Sequence, residues 1–245
     1  DIREKGTPIR GFGGTASGPW ALARLLQDVV LLINKRQGMR LRSLDFMQID
    51  HLIASCVIAG NIRRSARMSM KHWADYDIFE FIECKKSLET HWSTNISVVV
   101  DNAFFEALNK GNSHARRVYM ACITGMLTDG EPGFYNISRA QEGETGDVAC
   151  TNPCGEITLE PWENCNLGHV NLDAFYNDPL GAKEAFRLMT RFLVRATFAD
   201  IPSELQREVV NRNRRIGVGV FGYQGWTTKQ SVKYSTSHLD YSIRR

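Results

Sequence analysis

Asn152, Cys154 and Glu156 stand at i, i+2 and i+4 in the stretch Cys150-Thr151-Asn152-Pro153-Cys154-Gly155-Glu156-Ile157. In an extended conformation three such side chains share one face. They would present an amide, a thiol and a carboxylate together: a hydrogen-bonding group, a sulfur centre and a general base. Two blander chemistries fit the same residues. One is an unreactive thiol in a turn beside Pro153 and Gly155, with Asn152 and Glu156 solvated. The other is a zinc-stabilised binding module, because three residues separate Cys150 from Cys154, three separate Cys165 from His169, and ten separate the pairs. A zinc-bound Cys154 thiolate would leave Asn152 and Glu156 without work. Spacing alone leaves the three readings open.

The elements around this window must position it. Thr7 to Pro19 is rich in Gly, Pro and small hydroxyl residues and reads as a loop. It feeds a helix with apolar residues at Leu22, Leu25, Leu26, Val29, Val30 and Ile33, stopped at Gly38. Ser43 is expected to cap a second helix that ends at Gly60, and Asn61 to Met70 to be a basic loop running into an alternating strand. A short helix begins near Asp75. Asn95 to Val100 is β-branched and short, as a buried strand should be. Asp101 caps the next helix, and Ser113 to Leu127 forms another. Gly133–Asn136, Glu156–Leu159 and Leu167–Leu172 are strand candidates, Lys183–Phe198 is a long amphipathic helix, and Asn213 to Val220 closes as a Gly-punctuated turn or strand.

Helices alternating with short strands indicate an α/β fold with a largely parallel sheet, forming one domain or part of one. The 245 residues are 43% hydrophobic and 23% charged, with 30 basic against 27 acidic side chains. That is globular composition. The balance is too even for a nucleic-acid or anionic-membrane footprint. No apolar run reaches the roughly 20 residues that span a bilayer, and the first residues lack the pattern of a signal peptide, so a cytoplasmic location is expected. The start without Met reads as an excerpt of something longer. Six cysteines are too sparse for a disulfide scaffold.

Asn152-Pro153-Cys154-Gly155-Glu156-Ile157, followed by Glu163-Asn164-Cys165-Asn166-Leu167-Gly168, resembles the active-site finger loop and adjoining strand of the large catalytic subunit of ribonucleotide reductases. Three further stretches agree in order. Cys56 to Ala66 looks like the substrate-specificity loop, Gly130-Glu131-Pro132-Gly133 like a segment preceding the finger, and Asn213 to Gly219 like the strand region that follows it. The resemblance implies part of a ten-stranded α/β barrel with a central finger loop carrying the radical cysteine. Residues 1–245 would be the central portion of that catalytic domain, with both ends of the barrel missing. The implied activity is reduction of ribonucleotides to 2′-deoxyribonucleotides, the supply of DNA precursors. A glycyl-radical lyase on a similar barrel is disfavoured by the Asn-x-Cys-x-Glu finger.

Role by role, the resemblance implies that a thiyl radical on Cys154 removes the 3′ hydrogen. Glu156 would take the 3′-OH proton, its pKa raised by dry surroundings. Asn152 would hydrogen-bond the substrate, and Cys165 would be one half of the reducing dithiol. The other half has no match, since no cysteine precedes Cys56, which reads as a core or loop thiol, as do Cys84 and Cys122. Asn61, Arg63, Arg64 and Ser65 fall in the implied specificity loop near substrate or effector, guanidinium forks suiting phosphates and base edges. Gly13 and Gly14 are either a nucleotide-site loop or plain helix entry. The Gly-rich loop and the finger look more like the adenosylcobalamin-dependent members, of the ribonucleoside-triphosphate reductase type, than like those using a metal-containing small subunit. Implied partners are a ribonucleoside di- or triphosphate, a deoxynucleotide or ATP effector and a thioredoxin-like reductant, with no nucleic acid or membrane. The family's late-barrel phosphate loop, C-terminal cysteine pair and radical-relay tyrosines have no counterpart here. His51, His72, His91, His114 and His238 show no paired spacing, and the formal glycosylation sites at Asn95 and Asn136 are discounted.

Overall fold

A computed structural model describes residues 2–11, 13–59, 63–86 and 90–231. The chain divides into two compact units, residues 1–158 and 159–245.

The first unit opens with a self-closed hairpin. Gly6 donates to Ala16 O, Ala16 to Thr7 O and Ile9 to Gly14 O, around a Pro8–Thr15 bridge. Helix α1 (Pro19–Lys35) starts with proline in its first turn, where the missing N–H costs nothing. It packs on α2 (Ser43–Cys56), and Arg36 grips Asp45 with two hydrogen bonds of 2.8 and 2.9 Å. The cap of α2 is Arg42 and not Ser43. The Asp45 carboxylate takes the Arg42 N–H at 2.7 Å, and the Ser43 hydroxyl donates instead to Asp77. The helix also stops at Cys56, short of Gly60. Strands β1 (Ile58–Ala59), where the end of the helix is expected from sequence, and β2 (Arg63–Arg64), where a loop is expected, pair antiparallel.

The core belongs to a parallel sheet of β3 (Arg67–His72), β4 (Thr94–Val100) and β5 (Gly133–Asn136), in that order. Its register aligns Met68 with Asn95, Met70 with Ser97, and Ser97 with Gly133. Helices α3 (Ile78–Glu83), α4 (Asn102–Asn109) and α5 (Ser113–Asp129) connect the strands. Asp101 caps α4 by accepting the Phe104 N–H at 2.8 Å, as the sequence indicates. Alternation along β4 then sorts its side chains. Ile96, Val98 and Val100 join Ile78, Phe81, Ile82, Phe104, Val118 and Cys122 in one buried cluster on the helical side. Asn95 and Ser97 lie on the opposite face. The short α6 (Ile137–Ala140) leads to β6 (Cys150–Thr151), which pairs with β7 (Thr158–Leu159) across the finger.

In the second unit β8 (Asn166–Asn171) pairs parallel with β9 (Ile216–Phe221). The crossover runs through a 3₁₀ turn (Leu172–Phe175), α7 (Pro179–Ala196) and α8 (Glu204–Asn213), and α9 (Tyr223–Lys229) follows β9. Helix α7 begins four residues before the sequence-based start because Asp178 caps it, accepting the Gly181 N–H at 2.8 Å ahead of a first-turn proline. Leu193 and Val170 close the small core between α7 and β8.

Candidate active site

The finger is a tight turn and not the extended segment expected from its i, i+2, i+4 spacing. Gly155 N–H donates to Asn152 O at 2.9 Å, closing a β-turn over Pro153 and Cys154. Proline presets the turn's second residue, and Gly155 takes φ 84°, a left-handed value that a side chain would oppose. A one-face display of the three side chains is therefore replaced by a projecting tip. Asn152 is the clasp at its base. Its Oδ1 accepts the Ile157 N–H at 3.1 Å, and its own N–H donates to Ile157 O at 3.3 Å. With the oxygen so engaged, what the amide can offer a ligand is a donor. Cys154, Gly155 and Glu156 are exposed. The dry surroundings expected of Glu156 are not supplied by the residues described.

The tip borders a cavity of about 290 Å³ on the face of the sheet away from the helices, lined by Met68, Asn95, Ser97, Gly133, Tyr135 and Cys154 among others. The finger is tied to the sheet directly, Asn95 Nδ2 donating to Pro153 O at 2.6 Å. Asn95 is itself held on both sides. Glu131 Oε1 accepts the Ile96 N–H at 3.1 Å, Lys85 Nζ donates to Thr94 O at 2.6 Å, and Lys85 pairs with Glu131 Oε2. A larger cavity of about 920 Å³ opens on the helical side, around Lys85, Lys86, Thr124 and Thr128, and holds none of the finger residues. Size does not mark the site. Ile96 and Glu131 line both cavities and so form the wall between them.

The remaining expectations distribute as follows. Cys165, partly buried, directly precedes β8 in the second unit, its Sγ 3.7 Å from Asn166 O. The Arg63 and Arg64 backbones form β2, and Asn61 lies outside the described residues. Ser65 follows β2, and Gly13 and Gly14 sit at the hairpin tip ahead of α1; none of these three lines the finger cavity. Among the described residues no three His, Cys, Asp or Glu side chains converge as metal ligands, and the His169 ring lies over Gly219 of the neighbouring strand, where a Cβ would meet its Nε2 at 2.8 Å. Cys84 and Cys122 are thiols silenced by burial, which pushes them up to about 11 and about 12. Their reading as structural cysteines holds, although Cys84 sits at the C-cap of α3 and not within it. The sequence reading missed Asn95, Lys85 and Glu131 as neighbours of the finger. The signal was present in the alternation of β4, which places Asn95 and Ser97 opposite the apolar Ile96, Val98 and Val100.

Comparison with known proteins agrees with this geometry. Residues 112–242, more than half of the chain, match the family described as ribonucleotide reductase, barrel domain, and residues 1–33 match the B12-dependent ribonucleotide reductase insertion domain. A protein of Mycobacterium phage D29, by its name a candidate adenosylcobalamin-dependent ribonucleoside-triphosphate reductase, is 46% identical over 98% of this chain and 38% of its own length. The adenosylcobalamin-dependent ribonucleoside-triphosphate reductase of Lactobacillus gasseri is 37% identical over 92% of this chain and 30% of its own length. The chain thus spans about a third of these relatives. The Actinobacillus ureae class Id ribonucleotide reductase alpha subunit superposes with a TM-score of 0.65 at 19% identity, over 80% of this chain and 41% of that one, a likeness of fold. A parallel sheet flanked by helices, a finger turn bearing Cys154 on its open face and a match running through both units place the chain in the ribonucleotide reductase barrel-domain family.

Proposed function

We propose that the protein to which this chain belongs reduces ribonucleotides to 2′-deoxyribonucleotides through a thiyl radical on Cys154, with residues 1–245 as the central portion of its catalytic barrel. The observation that carries the reading is the finger itself: an exposed sulfur on a clasped turn, beside a cavity lined by polar groups of the barrel strands. An S–H bond and an activated ribose C–H bond are close in strength, so hydrogen passes reversibly from C3′ to sulfur. Glu156 takes the 3′-OH proton, the 2′-OH leaves as water on protonation by a thiol of the reducing dithiol while the Asn152 amide hydrogen-bonds beside it, and at the end Cys154 returns its hydrogen to C3′. Two electrons come from a dithiol of which Cys165 is one half, leaving a disulfide for a thioredoxin-like partner to reduce.

The radical source we assign is adenosylcobalamin, as in the names of the relatives, rather than a metal-containing small subunit. Bound, it supplies a carbon-centred radical by homolysis of its cobalt–carbon bond. The exposure of Cys154 fits, because a sulfur oxidised from outside must be approachable. The substrate we assign is a ribonucleoside triphosphate, on the same names, with a deoxynucleotide or ATP effector acting through residues 61–65. Among the described residues no helix is long and apolar enough to cross a membrane, and we place the protein in the cytoplasm.

The test is Cys154→Ser in the full-length protein. Serine is close in size, but its O–H bond is too strong to yield a usable radical, so turnover is abolished while nucleotide binding persists. Multiple-turnover reduction by that variant refutes the reading, and activity without adenosylcobalamin refutes the assigned radical source.

A further inference from the structure

We propose that Asn95 is a positioning residue for the Cys154 sulfur, held in place by the Lys85–Glu131 pair. The proposal rests on the thiyl-radical reading of the finger. Asn95 is the one exposed residue in a strand otherwise buried from Thr94 to Val100, yet its backbone is pinned on every side. The β4–β5 ladder begins only at Ser97 and Gly133, which leaves the Ile96 N–H beyond its end. Glu131 accepts that N–H, Lys85 binds the Thr94 carbonyl, and the Thr94 hydroxyl donates to Asn95 O at 3.0 Å. An ion pair thus extends the rigid sheet to the residue that reaches the finger.

The bond that Asn95 makes is placed to control one atom. Pro153 O belongs to the peptide plane joining Pro153 to Cys154, so a donor fixed on that oxygen limits rotation of the plane that carries the Cys154 backbone. The turn does not need this bond for its shape, since Gly155 and Ile157 already close it onto Asn152. What Asn95 adds is the direction in which the tip points relative to strand β4. Hydrogen abstraction depends steeply on the separation and alignment of the reacting atoms, and a misplacement of about 1 Å costs about 100-fold.

The experiment compares Asn95→Ala, Asn95→Asp and Glu131→Gln with wild type in the full-length protein, with Cys154→Ser in parallel. The aspartate variant keeps the shape but cannot donate to the Pro153 carbonyl when ionised. Both Asn95 variants should lose about 10- to 100-fold in kcat with KM for nucleotide within about twofold, and show a larger isotope effect with 3′-deuterated substrate. Their melting temperatures should match wild type, because the side chain is exposed. Glu131→Gln, which keeps an acceptor for Ile96 but loses the negative charge facing Lys85, should fall between. The proposal is overturned by Asn95 variants with wild-type kcat, by a loss of kcat with unchanged isotope effect and lowered melting temperature, or by failure of both variants to fold. Turnover by Cys154→Ser overturns the thiyl reading itself, whereas an inert Cys154→Ser beside an unaffected Asn95→Ala removes only the role of Asn95.

Discussion

The carbonyl oxygen of Glu131 lies 2.5 Å from where a Cβ on Gly125 would stand, and Pro132 Cδ lies 3.1 Å from it. Glycine within α5 therefore lets the segment entering β5 cross the helix at backbone contact. Gly125→Ala adds about 1 kcal/mol of helix propensity but drives a methyl into backbone that cannot swing aside, at a typical cost of about 1–3 kcal/mol. The clash should win. Denaturant unfolding should show a less stable protein with weakened Lys85–Glu131 pairing, and a variant more stable than wild type would show that the crossing yields freely.

Cys165→Ser should separate radical initiation from reduction. With a dithiol reductant it should make no deoxynucleotide over multiple turnovers, while label at the 3′ position of the substrate still exchanges. Sustained turnover by this variant would take Cys165 out of the dithiol.

Acid should destabilise the first unit in two steps. His51, whose Nδ1 lies 2.7 Å from Ser93 Oγ, is held below the ordinary 6.5 by burial, against a smaller upward pull from Asp50. Burial lowers His91 as well, helped by His51 and Lys85. Below 6.5 the unfolded chain takes up protons that the folded chain refuses, so stability falls with pH from there to the folded values. At lower pH the carboxylate of Asp77 follows. Burial raises it, but hydrogen bonds from Lys71 and Ser43 outweigh that and hold it below 3.8, so its contribution is present above 3.8 and lost on protonation. Melting temperature against pH should bend near 6.5, and a His51→Gln, His91→Gln double variant should flatten that bend while keeping the acid limb.

The 245-residue chain alone should self-associate and be inactive. Leu180, Leu188, Phe192 and Phe198 on and just after α7, with Val220 and Phe221 on β9, are each at least half exposed, and apolar surface on that scale seeks a partner. Concentration-dependent elution in size-exclusion chromatography checks this, and Leu188→Glu with Phe192→Lys should shift it towards monomer. A monodisperse chain that reduces ribonucleotides unaided would refute it.

Much of this was legible in the residues. Periodicity locates α1, α5 and α7, the β-branched run locates β4, and Asp101 is recognisable as a cap because its geometry is local. The Asn-x-Cys-x-Glu spacing found the finger but gave it the wrong backbone, since Pro153 and Gly155 favour a turn over the extended reading. What stayed hidden was non-local. Nothing near Asn95 in sequence announces Pro153, 58 residues away, and a strand that is legible as buried does not say which partner its one exposed side chain reaches. Ser43 resembles a cap in sequence but is not one for a related reason: its hydroxyl is drawn to Asp77, 34 residues away, while Asp45 and Arg42 make the cap.

In the second unit Glu160 accepts from Arg212 and from Asn213 Nδ2 at 2.7 Å, and Glu163 from the same amide and from Arg215, both at 2.9 Å. The Glu163 side chain is fully buried. Removing one partner of such a set strands charge at about 3–5 kcal/mol, whereas exchanging the whole set for apolar residues is far less costly. In evolutionary terms these five positions are one heritable unit. Lineages should either keep them intact or lose them together, and chimaeras that join residues 159–165 of one relative to residues 204–221 of another should fail where the two halves of the set disagree.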